Sequence, residues 1–287
     1  MGLRLLVVEG NARAAREAHR SVYGRTPSES YSDVLAGLAT DALCEICFPA
    51  DQGANLPDGA GIESYDGVAL TGSSLNIYND GPAVRRQLDL ARTIFGARTP
   101  FFGSCWGLQV ASAAAGATII RNPQGREAGI ARNIALTDAG RGHPLLEGRP
   151  AAFDAPCSHD DIVAVIPGET DILAANAMSA VQAAEIRHGG GTFWGVQYHP
   201  EYALSEIAAV LQRTGGVLVQ RGFFRCEADV DKYCADLRAL DADKTRHDIA
   251  WRLGIQPEIL DAQARLTEIR NWLAHRVRPE KSRRNRA

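Results

Sequence analysis

Short apolar runs alternate with helix-like stretches from the first residues onward, and this alternation limits the fold more than any other feature. Leu3–Val8 reads as a strand and 11–20 as a helix. A Ser/Tyr/Pro-rich stretch, 21–32, reads as a surface loop. Residues 33–41 then resume helix, and 44–48 form a second strand. Residues 66–70 read as a third strand ending in Thr71-Gly72-Ser73-Ser74. Pro82, at a permitted first-turn position, opens a helix to about Phe95. Residues 100–104 form a fourth strand, and 106–115 a helix stopped by Gly116. Strands separated by helices imply a parallel sheet covered on both faces. The expected fold is therefore α/β: a flavodoxin-like three-layer sandwich with a mostly parallel central sheet. Ligands in such a sheet sit at the carboxyl ends of the strands, where Thr71–Ser74 and Gly103–Gly107 both fall.

From about 117 to 201 the pattern changes to shorter strands and turns, with Gly189-Gly190-Gly191 as a hairpin turn. Residues 203–213 read as a helix that Gly215-Gly216 ends. Beyond it Ile249, Leu253, Ile259, Leu260, Leu266, Ile269 and Leu273 recur at helical spacing, and Pro257 marks a break between two helices. The expected division is a main domain over 1–214 and a helical extension with a basic tail over 215–287. An amphipathic extension must bury its apolar face on something. The candidates are the main domain, a second copy of the chain or a partner enzyme, and packing on the main domain or in a homodimer is expected. The crowded cations Arg276, Arg278, Lys281, Arg283, Arg284 and Arg286 read as a frayed, solvated tail.

With 45% hydrophobic residues in 287, the chain can bury a substantial core. Its net charge of -3 does not point to nucleic acid or an anionic membrane. No apolar run approaches the roughly 20 residues of a membrane helix, so a soluble cytoplasmic protein is expected. The six cysteines form no disulfide framework and fit a reducing compartment. Cys44 and Cys47 lie within a strand and lack a partner pair with metal-ligand spacing, so they read as packing residues. Glu9-Gly10-Asn11 lacks a dinucleotide-binding glycine pattern. No metal or organic cofactor is expected.

Two segments carry chemistry. Gly103-Ser104-Cys105-Trp106-Gly107, between a strand and a helix, has the form of a nucleophile elbow with Cys in place of Ser. It would hold Cys105 at a helix N-terminus, where the dipole favours thiolate; the alternative is a buried structural cysteine. In Gly195-Val196-Gln197-Tyr198-His199-Pro200-Glu201, His199 and Glu201 can point the same way from an extended segment, supplying the base and orienting acid that a thiolate needs. Alone, His-Pro-Glu also suits a surface turn. The order Cys, His, acid differs from that of the α/β-hydrolases, and papain-like spacing does not fit.

Together, Gly-Ser-Cys-Trp-Gly-Leu-Gln and Gly-Val-Gln-Tyr-His-Pro-Glu resemble the class I (triad) glutamine amidotransferases, above all the glutamine amidotransferase domain of GMP synthase and its stand-alone relatives. The likeness covers roughly residues 1–213. It implies a triad of Cys105, His199 and Glu201, with Gln109 helping to hold the substrate L-glutamine. It implies an oxyanion hole from the backbone N–H groups of Gly72 and Trp106, although the family's Gly-Gly-Pro loop here reads Thr71-Gly72-Ser73. Cys157-Ser158-His159-Asp160-Asp161-Ile162-Val163 resembles the family's Ser-His-x-Asp-x-Val run, which places Ser158 and His159 near the glutamine pocket; His159 as a second base is the weaker alternative. Gly140-Arg141-Gly142-His143-Pro144-Leu145 resembles a surface turn of the stand-alone members.

The expected reaction is hydrolysis of the glutamine side-chain amide through a glutamyl thioester. The segment after Gly216 is too short for a synthase domain, so the first reading passes ammonia to a separate synthase in trans. The second is a γ-glutamyl hydrolase or peptidase with the same triad, and the third a non-catalytic regulatory binding module.

Overall fold

The computed structural model describes residues 2–53, 56, 61–166 and 168–284. Eleven strands are formed among them: β1 (Leu3–Val8), β2 (Ala42–Cys47), β3 (Gly67–Leu70), β4 (Phe101–Ser104), β5 (Thr118–Arg121), β6 (Glu127–Leu136), β7 (Ala152–His159), β8 (Asp161–Val165), β9 (Thr170–Ala175), β10 (Ala183–His188) and β11 (Gly191–Val196). Nine build one sheet in the order β2-β1-β3-β4-β11-β10-β9-β6-β7. The five from β2 to β11 run parallel, and the rest join antiparallel. β5 and β8 pair in a separate ribbon.

Alternation along β1 explains the layering. Leu3, Leu5 and Val7 point into one apolar layer, and Leu6 and Val8 into the other. The first layer is closed by α2 (Pro27–Leu38) through Tyr31 and Leu35, following α1 (Arg13–Tyr23). The second is closed by α3 (Pro82–Ala97) and α4 (Trp106–Ala114), through Val84, Ile94, Phe95, Leu108 and Val110. The chain is thus a three-layer α/β sandwich with a mostly parallel centre.

The stretch 21–32 is not a surface loop. Gly24 closes α1 in the left-handed conformation at φ 92°. Thr26 and Glu29 then form a capping box, with Thr26 N–H donating to Glu29 Oε2 at 2.8 Å and Pro27 in the first turn. The Ser and Tyr content masked a helix start of Thr-x-x-Glu type.

α5 (Asp138–Arg141) precedes α6 (Leu204–Arg213) and α7 (Gly215–Gln220). Gly215-Gly216 therefore begins a helix and does not merely end one: Thr214 turns the chain at φ -102° and ψ 12°, without a left-handed residue. The segment Gly140–Leu145 is also less superficial than its resemblance implied, since Leu145 and Leu146 are buried in the first layer.

After α8 (Glu227–Ala242), α9 (His247–Leu253), α10 (Pro257–Leu260) and α11 (Ala262–Arg265), the chain returns to the sheet through α12 (Thr267–Trp272) and, after a π-helical turn, α13 (Arg278–Arg284). α8 and α9 pack on α6 around Ile207, Leu211, Cys234 and Ile249. Trp272 is fully buried on the first face, its ring 5.7 Å from that of Phe102. The basic end is not a frayed tail. Arg278 binds Asp41 at 2.8 Å, Lys281 binds Asp66 at 2.7 Å, and Arg284 donates to the Glu63 and Tyr65 carbonyls. Partners more than two hundred residues upstream hold it, which a local charge pattern does not reveal. Arg286 lies outside the described residues.

Glu268 ties this extension to the site-bearing strand. Its carboxylate takes Arg149 Nε at 2.7 Å and Nη2 at 2.8 Å, and the Tyr198 hydroxyl at 2.8 Å, all buried. Removing one partner of such a pair strands the other charge without water. Glu268→Ala is expected to destabilise the protein by about 3–5 kcal/mol, read as the midpoint shift in urea unfolding.

Candidate active site

Three parallel strands end at one point. β4 runs into Cys105, β3 into Thr71-Gly72, and β11 into Gln197–Glu201. At Cys105 the backbone takes φ 52° and ψ -101°, a conformation an L-residue holds only when its surroundings enforce it. The surroundings do. Cys105 N–H donates to the Val196 carbonyl at 2.7 Å, and the turn is so tight that a Cβ on Gly107 would lie 2.6 Å from the Leu70 carbonyl oxygen. The outcome is the sharp strand-to-helix elbow anticipated from Gly103-Ser104-Cys105-Trp106-Gly107.

His199 and Glu201 meet there. His199 Nδ1 lies 2.7 Å from Glu201 Oε1, both side chains buried. Glu201 Oε2 accepts from Ser104 Oγ at 2.9 Å, and Ser104 Oγ lies 3.3 Å from the Tyr31 hydroxyl. The carboxylate is thereby fixed on both oxygens. The Tyr202 ring stacks flat on the imidazole, centroids 4.0 Å apart and planes 2° from parallel. With Nδ1 committed to Glu201, Nε2 is left for Cys105, whose thiol touches the imidazole and the Ser158 carbonyl. Burial opposes the imidazolium, but Glu201 and Cys105 outweigh it and raise His199 to about 10. The charged imidazole is thus available near neutral pH to donate a proton. Burial raises the half-buried Cys44 to about 11, and the buried Cys47 to about 12, Cys234 to about 11 and Cys157 well above its ordinary value, which makes these thiols poor nucleophiles.

The Gly72 and Trp106 N–H groups have no acceptor among the described residues. Trp106 opens α4, where a helix leaves its first donors unpaired. The Thr71-Gly72-Ser73 loop is held without the Gly-Gly-Pro sequence. Asn11 Nδ2 donates to the Gly72 carbonyl at 3.2 Å while its Oδ1 accepts from Ser74 N–H at 3.1 Å, and Thr71 Oγ1 accepts from Gly10 N–H at 2.9 Å. Asn11 is itself set by Glu9, a fully buried carboxylate. A Cβ at Gly72 would fall 2.6 Å from His199 Cε1. Gly72→Ala is therefore expected to push the imidazole out of line and lower kcat/KM by roughly a hundredfold, with the circular-dichroism spectrum unchanged.

Gln109, Ser158 and His159 all line the same cavity, of about 150 Å³, together with Cys105 and His199. Gln109 Nε2 donates to the Asp161 carbonyl at 3.2 Å. Ser158 Oγ accepts from Arg126 at 2.8 Å. His159 is locked: Nε2 lies 2.8 Å from Glu127 Oε2 and Nδ1 3.1 Å from the Asp161 carbonyl. Both ring nitrogens are occupied, so His159 shapes the loop and has no nitrogen to spare for a second base. Burial works against an ionised Glu127, but His159, Asn176 and Gln182 hold it below the usual carboxylate range. Sequence reading missed Asn11, Glu127, Tyr202 and Arg126; Arg126-Glu127 lies between two glycines at positive φ, Gly125 and Gly129, a local hint of a constrained segment. Among the described residues no group of three or more His, Cys, Asp or Glu could hold a metal ion, and no helix is long and apolar enough to cross a membrane.

The model of the glutamine amidotransferase class-I family matches residues 47–215, more than half of the chain and the span holding all three clustered side chains. The chain belongs to the class-I glutamine amidotransferase family. It is 35% identical over 285 residues to a γ-glutamyl-L-1-hydroxyisopropylamide hydrolase of a Pseudomonas species, covering 96% of this chain and 94% of that protein. It is 30% identical over 135 residues to a glutamine-hydrolysing GMP synthase subunit of Methanococcus maripaludis strain C6, covering 47% of this chain and 68% of that protein. Among solved structures, a glutamine amidotransferase from Thermotoga maritima superposes with a TM-score of 0.66 at 15% identity, over 96% of this chain and 99% of that one; this last likeness shows the shared fold.

Proposed function

We propose that this chain hydrolyses a γ-glutamyl amide, with Cys105 as nucleophile, His199 as proton carrier and Glu201 as its orienting acid. The observation that carries the reading is the buried line Glu201–His199–Cys105 at the strained elbow. The choice of a substituted amide over free glutamine rests on the hydrolase from Pseudomonas, which this chain matches through the C-terminal helices as well as the sandwich. Those helices are occupied: α8 covers α6, and α12 lies on the sheet.

The thiolate attacks the γ-carbonyl carbon, and the oxyanion is received by the Gly72 and Trp106 N–H groups. As the C–N bond breaks, His199 gives its proton to the departing amine, leaving a γ-glutamyl thioester on Cys105. Water, losing a proton to His199, attacks the thioester, and glutamate leaves with the thiolate restored. Gln109, Ser158 and the loop that His159 shapes hold the glutamyl part.

A second reading is a glutaminase supplying ammonia to a synthase in trans, favoured by the similarity to the GMP synthase subunit of Methanococcus maripaludis. Comparing kcat/KM for glutamine and for γ-glutamyl amides of short amines separates the two. Preference for the substituted amides is expected; turnover of glutamine alone, rising when a synthase is added, would move the assignment to the second reading.

A further inference from the structure

The cavity extends past the side chains that the reaction itself uses. One group of lining residues is knit around Asp161: Gln109 donates to its carbonyl, and Asn76 Nδ2 to its carboxylate at 2.7 Å. A second group stands on the turn after Glu201, on α6 and at the start of α2, on the His199 side. Tyr202 stacks on the imidazole, and Val210 and Arg213 follow on α6, with Pro27 opposite. Within that second group Arg213 is singular. Its Nη1 donates to the Ala15 carbonyl at 3.0 Å, and no carboxylate pairs with it among the described residues. Arg213 is half-buried and lines the cavity, so the donors that Ala15 does not use stay open to solvent or to a bound oxygen; what burial it has pulls Arg213 below its ordinary value.

Chemistry fixes which part of a substrate reaches it. His199 must hand its proton to the departing nitrogen, so anything attached to that nitrogen extends along the His199 side of the cavity. Tyr202, stacked on the imidazole, lines that side, and Pro27, Val210 and Arg213 line the same cavity. We propose that Arg213 is the specificity residue for the leaving amine, donating to an oxygen carried on that amine while Pro27, Tyr202 and Val210 cover its carbons. The inference rests on the amide-hydrolase reading above, in which the related hydrolase from Pseudomonas is itself named for a hydroxyisopropylamide; what it adds is the assignment to Arg213 of the oxygen, hydroxyl or carboxylate, on a short leaving amine.

The test compares three substrates of nearly equal size: γ-glutamyl isopropylamide, which has no such oxygen, γ-glutamyl alaninol, which carries a hydroxyl, and γ-glutamyl alanine, which carries a carboxylate. A hydrogen bond to a charged donor is worth roughly ten- to a hundredfold in discrimination. The wild-type enzyme is expected to favour at least one oxygen-bearing amide over isopropylamide by that factor in kcat/KM, mostly through KM. Which of the two wins tells whether the oxygen is a hydroxyl or a carboxylate. Arg213→Gln is expected to bring the ratio near one, and Arg213→Lys to retain part of it. A wild-type ratio of one, a preference that survives Arg213→Gln, or an equal loss on all three amides in both variants would overturn the proposal. The equal loss would make Arg213 a support for α1 or a partner of the glutamyl carboxylate. In each of those cases turnover of the amides leaves the hydrolase reading standing; if no amide is turned over while glutamine is, that reading falls as well.

Discussion

Cys105→Ala is expected to reduce amide hydrolysis by roughly four to six orders of magnitude, the scale seen when a nucleophile that works as one unit with its base is removed. The fold should survive, since the substitution removes one sulfur at an elbow held by main-chain contacts from Val196 and the close approach of Gly107 to Leu70. The backbone strain at φ 52° is nearly the same for Ala as for Cys, so the melting temperature should change little. A γ-glutamyl-shaped electrophile is expected to label Cys105 and to leave Cys44, Cys47, Cys157 and Cys234 untouched, because burial raises those thiols. Steady-state rates and intact-mass labelling check both statements. Turnover preserved in Cys105→Ala would remove the nucleophile from the account.

The partners of Cys105 should lose activity unequally. His199→Ala deletes the group that protonates the departing amine and is expected to cost several orders of magnitude, roughly 10³ or more. Glu201→Gln keeps the size and the link to His199 Nδ1 but removes the carboxylate. Neutralising the acid of a serine triad costs about ten-thousand-fold; a thiolate depends on it less, so a smaller loss is expected. The pH profile gives a sharper signature. His199 is raised to about 10, so its imidazolium persists through neutral pH and is lost only as pH rises through that value. kcat/KM, which reports the free enzyme, should therefore hold on the alkaline side until about pH 10. In Glu201→Gln the chief source of the elevation is gone, and the alkaline limb should move towards the ordinary histidine range of about 6.5. An alkaline limb at the same pH in both proteins would contradict the role of Glu201.

Much of this was readable from the sequence because the decisive residues sit in short loops directly after strands. Cys105 follows β4, Gly72 follows β3 and His199 follows β11, so a correct strand order brings them together without further information. The supporting residues are of another kind. Asn11 pins the Gly72 loop from the end of the neighbouring strand β1, and Glu127 fixes His159 from the neighbouring strand β6. Tyr202 covers the imidazole because the turn after Glu201 folds it back, and Arg213 matters because α6 carries it towards the cavity. None of these has a local signature, since each role exists only once the sheet is assembled. Two of the misread segments fail for related reasons. The capping box of α2 was hidden by residues that also favour loops, and the basic end reads as solvated because Asp41 and Asp66 are remote in sequence.

The central claim is that catalysis passes through a γ-glutamyl thioester on Cys105. Rapid acid quench of the enzyme mixed with excess γ-glutamyl amide, followed by intact and peptide mass analysis, tests it directly. The expected result is a single glutamyl adduct that forms within one turnover, maps to the peptide containing Cys105 and is released by hydroxylamine. Burst release of amine without any adduct at Cys105, or an adduct on another residue, would contradict the mechanism.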